Sequence, residues 1–308
     1  MHPMKQPSGR KSVAEIMRRA LDLKTVVPAF NIPYLPMMEP VVSALRDAGS
    51  FGLIAVARLE WTKFEAGGVE PIHREYVRLG DPIYTRLHLD HVPVIDEDDL
   101  RVAYVDIIDE ALALGYDSVM VDGSRLDLHE NIDATRTIVE RAHARGVPVE
   151  AELGSVLGHE EGPPPPYEEL FRSGRGFTDP EDAARFTAET NVDWLSVAVG
   201  SIHGAVSKAR RDEPKINARL DIDHLSRISE RIQIPIVLHG GSGIPKSYVQ
   251  AGIKNGIAKI NIGTAIRQIY ERARKVSPAA ARNAVYEEVK RILTDDLEIA
   301  GTAQHLVG

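Results

Sequence analysis

The chain alternates two kinds of apolar pattern. Short runs rich in Val, Ile and Leu recur along it: TVVPAF (25–30), LIAVA (53–57), IYTRLHL (83–89), DSVMV (117–121), VPVEAEL (147–153), DWLSVAV (193–199), IPIVLH (234–239) and IAKINI (257–262). Each is short enough for a strand buried on both faces of a parallel sheet. Between most of them, apolar residues fall at helical spacing. Leu100 to Leu114 stops at Gly115, Asn131 to Arg145 at Gly146, and Pro245 to Asn255 at Gly256. Asp221 to Arg231 reads as a further helix, and Thr178-Asp179-Pro180-Glu181 opens one over 180–190 with a capping aspartate and an early proline. Eight strands alternating with helices predict an α/β protein, a (β/α)8 TIM barrel, with a doubly wound sheet as the competing arrangement. No linker separates two cores. Residues 1–308 therefore read as a single domain, with a polar N-terminal segment about 1–12 and a helical C-terminal extension about 265–300. Two long loops, about 154–178 and about 200–219, interrupt the alternation, and long loops in compact domains are usually functional or disordered.

Polar residues gather where the strands end. Asn31 closes the first run, and His88, Asp90 and His91 close the third. Asp122 closes the fourth and Glu150 and Glu152 the fifth. His203 follows the sixth, His239 ends the seventh, and Asn261 and Thr264 end the eighth. In a closed barrel these ends share one rim, where barrel enzymes place their chemistry. Three imidazoles from separate strands, His91, His203 and His239, suit a catalytic zinc site with an open fourth position. His88 shares a strand face with Asp90, whereas His91 breaks the alternation. His88 is accordingly assigned a structural role and Asp90 an inward-facing one. Asp122 and Glu152 read as groups that orient imidazoles or hold a second cation.

Two glycine-bearing turns, His239-Gly-Gly-Ser-Gly243 and Asn261-Ile-Gly-Thr264, each lead into a helix. Backbone N–H groups at such turns favour a phosphate. Asp90, beside a proposed ligand, is placed to move a proton at a substrate hydroxyl. His159-Glu160-Glu161-Gly162 puts a glutamate on a long loop, able to approach only when substrate is bound.

Composition narrows the classes. A net charge of −8 argues against a broad nucleic-acid surface. The absence of cysteine removes disulfides, a thiol nucleophile and Cys-based zinc sites, and fits a reducing cytoplasm. The segment MHPMKQPSGRKS lacks the apolar stretch of a signal peptide, and no run approaches the ~18 apolar residues of a membrane span. A cytoplasmic protein is expected, without a membrane or nucleic-acid partner.

Taken together, PAFN (28–31), HLDH (88–91), SVMVDGS (118–124), Asn131 to Glu140, HARGVPVEAELG (143–154), FTDPEDA (177–183), VAVGSIHG (197–204), LHGGSG (238–243) and AKINIGT (258–264) resemble the class II, zinc-dependent ketose-bisphosphate aldolases. That group includes fructose- and tagatose-bisphosphate aldolases. The resemblance implies reversible cleavage of a phosphorylated ketose to dihydroxyacetone phosphate and an aldehyde, and a homo-oligomer, dimer or tetramer. It implies Zn2+ on His91, His203 and His239, Asp90 acting at the C4 hydroxyl, and Glu160 exchanging the C3 proton. Gly204, Gly240, Gly241, Ser242, Asn261, Gly263 and Thr264 would cradle the phosphate, with a monovalent cation nearby, and Asn31 would face the substrate. Lys259 is assigned a structural or phosphate-side role. The sequence departs from the group at Val92-Pro93, Ser155, Leu157, the stretch GPPPPYEELFRSGRG and Gly263, where fructose-bisphosphate enzymes usually carry aspartate. The alternatives are a metal-dependent barrel hydrolase and a non-catalytic aldolase-like subunit.

Overall fold

The structure is a computed structural model that describes residues 11–154, 167–201, 218–241 and 243–308. Eight parallel strands, β1 (Val27–Asn31), β2 (Gly52–Ala57), β3 (Thr85–Pro93), β4 (Ser118–Asp122), β5 (Val149–Leu153), β6 (Trp194–Val197), β7 (Ile236–Leu238) and β8 (Ile257–Ile262), pair in chain order. β8 returns to β1, so the barrel closes, and the doubly wound alternative is set aside.

The helices are α1 (Val13–Asp22), α2 (Met38–Asp47), α3 (Arg58–Thr62), α4 (Val69–Leu79), α5 (Tyr104–Leu114), α6 (Leu128–His143), α7 (Tyr167–Ser173), α8 (Pro180–Thr190), α9 (Ile222–Ile232), α10 (Lys246–Lys254), α11 (Thr264–Ala273), α12 (Pro278–Arg291) and α13 (Ala303–Leu306). Their ends follow local chemistry. Ser12 Oγ accepts from Glu15 N–H at 3.2 Å while Glu15 Oε2 accepts from Ser12 N–H at 2.7 Å, so α1 begins on a capping box. α8 starts under Asp179, with Pro180 in its first turn. α5 stops at Gly115, whose φ of 95° is open to glycine.

Several boundaries differ from the periodicity. α5 begins at Tyr104 rather than Leu100, because residues 95–102 fold back in an antiparallel bridge between Ile95 and Arg101. Asp96 Oδ1 holds that turn by accepting from the N–H groups of Asp98 and Leu100. α7 occupies part of the stretch 154–178 that reads as loop. α1 to α4 are further helices that the apolar runs do not include. The C-terminal extension is helical in pieces, α11, α12, a π-turn over Ile292–Asp296 and α13.

Two apolar bodies form. One fills the space between the sheet and its helices. The other fills the floor of the barrel, where Val27, Ala29, Leu53, Ala55, Trp194 and Val237 meet Val13, Ile16, Met17 and Ala20 of α1. Burying each larger apolar side chain there contributes roughly 1.5–3 kcal/mol. With α1 closing the floor, polar inward positions accumulate at the opposite, C-terminal mouth.

Candidate metal centre at the barrel mouth

β3 supplies two adjacent residues to one site. On a regular strand Asp90 and His91 point to opposite faces. The register between β3 and β4 shifts between Leu89 and Val92, and this irregularity brings both side chains to the mouth. His91, Asp90 and His239 place ligand atoms within 4.8 Å of one another, and so do His91, Asp122 and Glu152. The His91 and His239 ring centroids are 4.3 Å apart.

Carboxylates fix the imidazoles. Because a carboxylate only accepts, His91 Nδ1–H donates to Asp122 Oδ2 at 2.9 Å and His239 Nε2–H donates to Glu150 Oε1 at 2.9 Å. Asp122 is itself braced by Ser124, whose N–H and Oγ–H donate to Oδ1 at 3.0 and 2.7 Å. Glu152 Oε2 is buried and accepts no hydrogen bond of good geometry, although it lies 3.1 Å from His239 Nδ1 and 3.9 Å from His91 Nδ1. Its own backbone carbonyl accepts from Asn131 Nδ2–H at 2.9 Å.

Burial works against charge on His91, yet Asp90, Asp122 and Glu152 outweigh it and push the imidazole up to about 10. His239 moves the same way: burial and His91 oppose its charge, and Glu150 and Glu152 prevail. A cluster that holds protons this firmly has the negative surplus that suits a cation. Two imidazoles, with carboxylates behind them, are a donor set that fits a divalent metal such as zinc.

Below the cluster lies a buried ionic layer. Lys259 Nζ is 2.7 Å from Glu150 Oε2 and 3.8 Å from Asp90 Oδ1, with no side-chain exposure. Trp194 Nε1–H donates to the same Glu150 oxygen at 2.7 Å. His88 is buried, with Nδ1 2.9 Å from Ser118 Oγ. Burial alone would raise Asp90 and Glu150. His91, Lys259 and His88 hold Asp90 well below the usual carboxylate range, and Lys259, His239 and His88 do the same for Glu150.

Asp90 is also gripped from β1 and β8. Asn31 Nδ2–H donates to Oδ2 at 2.8 Å, and Asn261 Nδ2–H donates at 2.9 Å to Oδ1. The turn after β7 uses Gly240 at φ 66°, and a Cβ on Gly241 would meet the Ile260 side chain at 2.7 Å. Gly263 caps α11 beside Thr264, and a Cβ there would sit 3.4 Å from Asn31 Cβ. Thus Asp90, His91, His239, Asp122, Glu152, Asn31 and Asn261 come together, and Gly240, Gly241, Gly263 and Thr264 border them. Glu160, His203, Gly204 and Ser242 lie outside the described residues.

Sequence reasoning passed over the Lys259–Glu150–Trp194 link and Glu60. The sequence around Glu60 shows only a glutamate three residues past the apolar run LIAVA, with nothing to say that its side chain turns back to the rim.

The geometry defines a parallel (β/α)8 barrel with a metal-type cluster at the C-terminal mouth. Comparison with known proteins narrows this. The model of the family described as fructose-bisphosphate aldolase class-II matches residues 11–305, and the chain belongs to that family. It is 38% identical over 187 residues to a fructose-bisphosphate aldolase of Streptococcus pneumoniae, covering 60% of this chain and 55% of that protein. The aligned part therefore spans about half the length of that relative. It is 31% identical over 292 residues to a 6-phospho-5-dehydro-2-deoxy-D-gluconate aldolase of Halalkalibacterium halodurans, covering 94% of this chain and 86% of that one. Among solved structures, the YdjI aldolase of Escherichia coli superposes with a TM-score of 0.75 at 26% identity, over 95% of this chain and 98% of that one.

Proposed function

We propose that the protein is a zinc-dependent aldolase that cleaves a phosphorylated ketose reversibly to dihydroxyacetone phosphate and an aldehyde. The observation that carries this reading is the convergence of Asp90, His91 and His239 at the mouth, backed by Asp122, Glu150 and Glu152. In this reading His91 and His239, with His203, hold the zinc. When bound, the metal supplies Lewis-acid stabilisation of negative charge on the substrate oxygens.

The chain's own groups do the rest. Asp90, aimed by the Asn31 and Asn261 amides, takes or returns the proton of the C4 hydroxyl. Glu160 exchanges the C3 proton. The Gly240-Gly241-Ser242 turn, Gly204, Gly263 and Thr264 bind the phosphate through backbone N–H groups. Asn261 Oδ1, buried with no hydrogen bond, is left to accept a hydrogen bond from substrate or to ligate a monovalent cation. Lys259 is an ion-paired ammonium beside Glu150, a poor nucleophile, which supports metal rather than Schiff-base chemistry. The whole chain works as one catalytic domain in a cytoplasmic homo-oligomer. Among the described residues, no helix is long and apolar enough to cross a membrane.

The experiment is a coupled assay for released dihydroxyacetone phosphate. Cleavage should vanish on chelation and return with Zn2+ or Co2+, and borohydride with substrate should leave activity intact. Covalent trapping, or hydrolysis without release of dihydroxyacetone phosphate, would defeat the reading.

A further inference from the structure

The rim above β1, β2 and β3 holds a carboxyl group that the reaction just described does not use. β2 ends at Ala57, whose partner in register is Asp90. The chain turns at once into α3, and Glu60 reaches back so that Oε2 accepts from Ala57 N–H at 2.8 Å. Asn31 Nδ2–H donates to Asp90 Oδ2 at 2.8 Å, and the Glu60 carboxyl lies close enough to Asp90 to feel its charge. Glu60 keeps 8% exposure, enough to meet a bound molecule but not bulk water.

We infer that Glu60 is a specificity-determining residue: it hydrogen-bonds a hydroxyl on the aldehyde-derived half of the substrate, so that a neutral hydroxyaldehyde is taken in preference to one ending in phosphate or carboxylate. This rests on the aldolase reading above. A substrate with its phosphate at the β7 and β8 turns and its C4 hydroxyl at Asp90 sends its remaining carbons past Asp90, toward Glu60. An anion arriving there meets Asp90 and finds no free cation on the β2–α3 stretch. Arg58 is 3.1 Å from Asp96, and Lys63 is 2.8 Å from Asp98 and 3.6 Å from Glu97.

The protonation state agrees. Burial raises Glu60 first; the Ala57 bond opposes it, Asp90 adds to it, and the carboxyl settles at about 8. At neutral pH the group is an uncharged acid. It accepts from Ala57 N–H and has an O–H to donate, so it offers a substrate hydroxyl both a donor and an acceptor, while discrimination against an anion comes from Asp90 and the paired cations.

The test uses the metal-loaded full chain in the condensation direction, with dihydroxyacetone phosphate and either D-glyceraldehyde or D-glyceraldehyde 3-phosphate. The readout is the ratio of kcat/KM for the neutral aldehyde to that for the phosphorylated one, in which any shared loss cancels. Wild type should favour the neutral aldehyde at least tenfold. Glu60→Gln, which also donates and accepts, should keep the ratio within about twofold. Glu60→Ala should lower it at least tenfold, mainly through KM for glyceraldehyde, and Glu60→Asp, one methylene shorter, should move it the same way if the alanine variant does not fold. A wild-type preference for the phosphorylated aldehyde overturns the inference, and so does a ratio unmoved by Glu60→Ala or Glu60→Asp. Exchange of the dihydroxyacetone phosphate C3 proton into deuterated solvent, with no aldehyde present, separates the two levels. Its absence in wild type fails the aldolase reading, whereas exchange with an unmoved ratio fails this inference alone.

Discussion

The floor and the mouth of the barrel are lined by the same eight strands and held by opposite physics. At the floor, inward positions such as Val27, Ala29, Leu53 and Val237 pack against Ile16 and Met17, and order there comes from shape. At the mouth the inward positions are Asn31, Asp90, Glu150, Glu152, His239 and Asn261, and order comes from charge matched to charge. Trp194 belongs to both: its ring lies in the floor cluster while Nε1–H reaches Glu150 at 2.7 Å. Lys259 also crosses between them, leaving β8 level with Val27 and ending at Glu150. A floor tolerates neutral changes of similar volume, whereas a mouth fails once any partner loses its counter-charge.

Four perturbations break or sharpen that contrast. Asp90→Asn should have the largest effect, a fall in kcat of about 10^2 to 10^4, the usual worth of a positioned proton carrier. A fall under tenfold in steady-state cleavage would remove Asp90 from proton transfer. Lys259→Met fills the space but strips Glu150 of its cation. Breaking a buried pair from one side costs about 3–5 kcal/mol, to be read by urea unfolding. Less than about 1 kcal/mol would show that the buried charge was compensated elsewhere.

Met17→Ala should cost about 2–5 kcal/mol by the same method, with kcat for the folded fraction at the wild-type level. A matching loss of kcat would mean that floor and mouth are coupled.

The last perturbation, and the smallest per step of the variable changed, is the pH dependence that Glu60 contributes. Its carboxyl is at about 8 in the folded chain against 4.5 when free, so between those values the native state holds a proton that the unfolded chain has released. Stability therefore declines as pH rises through that window, by up to about 1.4 kcal/mol per unit, and the contribution levels off above about 8. Denaturant unfolding of wild type and Glu60→Gln from pH 5 to 9 should give a shallower decline in the variant. Parallel curves would place the Glu60 proton elsewhere.

How much of this could be read from the letters depends on distance along the chain. The strands were legible because a parallel barrel buries them on both faces, which leaves uninterrupted apolar runs such as LIAVA. Asp90, His239 and Asn261 were legible because they terminate such runs. The break of alternation at His91 anticipated the register shift in β3. Glu60 was not legible as a site residue. It follows its strand by a full turn and enters the rim only because its side chain bends back to cap Ala57. The ion pair between Lys259 and Glu150 joins two strands that are not neighbours, and single-chain periodicity carries no information about partners across a barrel. The spacing of Val13, Ile16, Met17 and Ala20 marks α1 as an amphipathic helix, but its docking site was hidden for a related reason. Its apolar face matches the floor rather than the sheet exterior, and nothing local says which surface it closes.

The irregularity in β3 limits how this centre can be transplanted. On a straight strand, a carboxylate and an imidazole that share a side stand two residues apart. A designer who copied Asp90 and His91 as neighbours onto an idealised barrel would send one of them into the helical jacket. The kink has to be grafted together with the letters, along with enough of β4 to hold it.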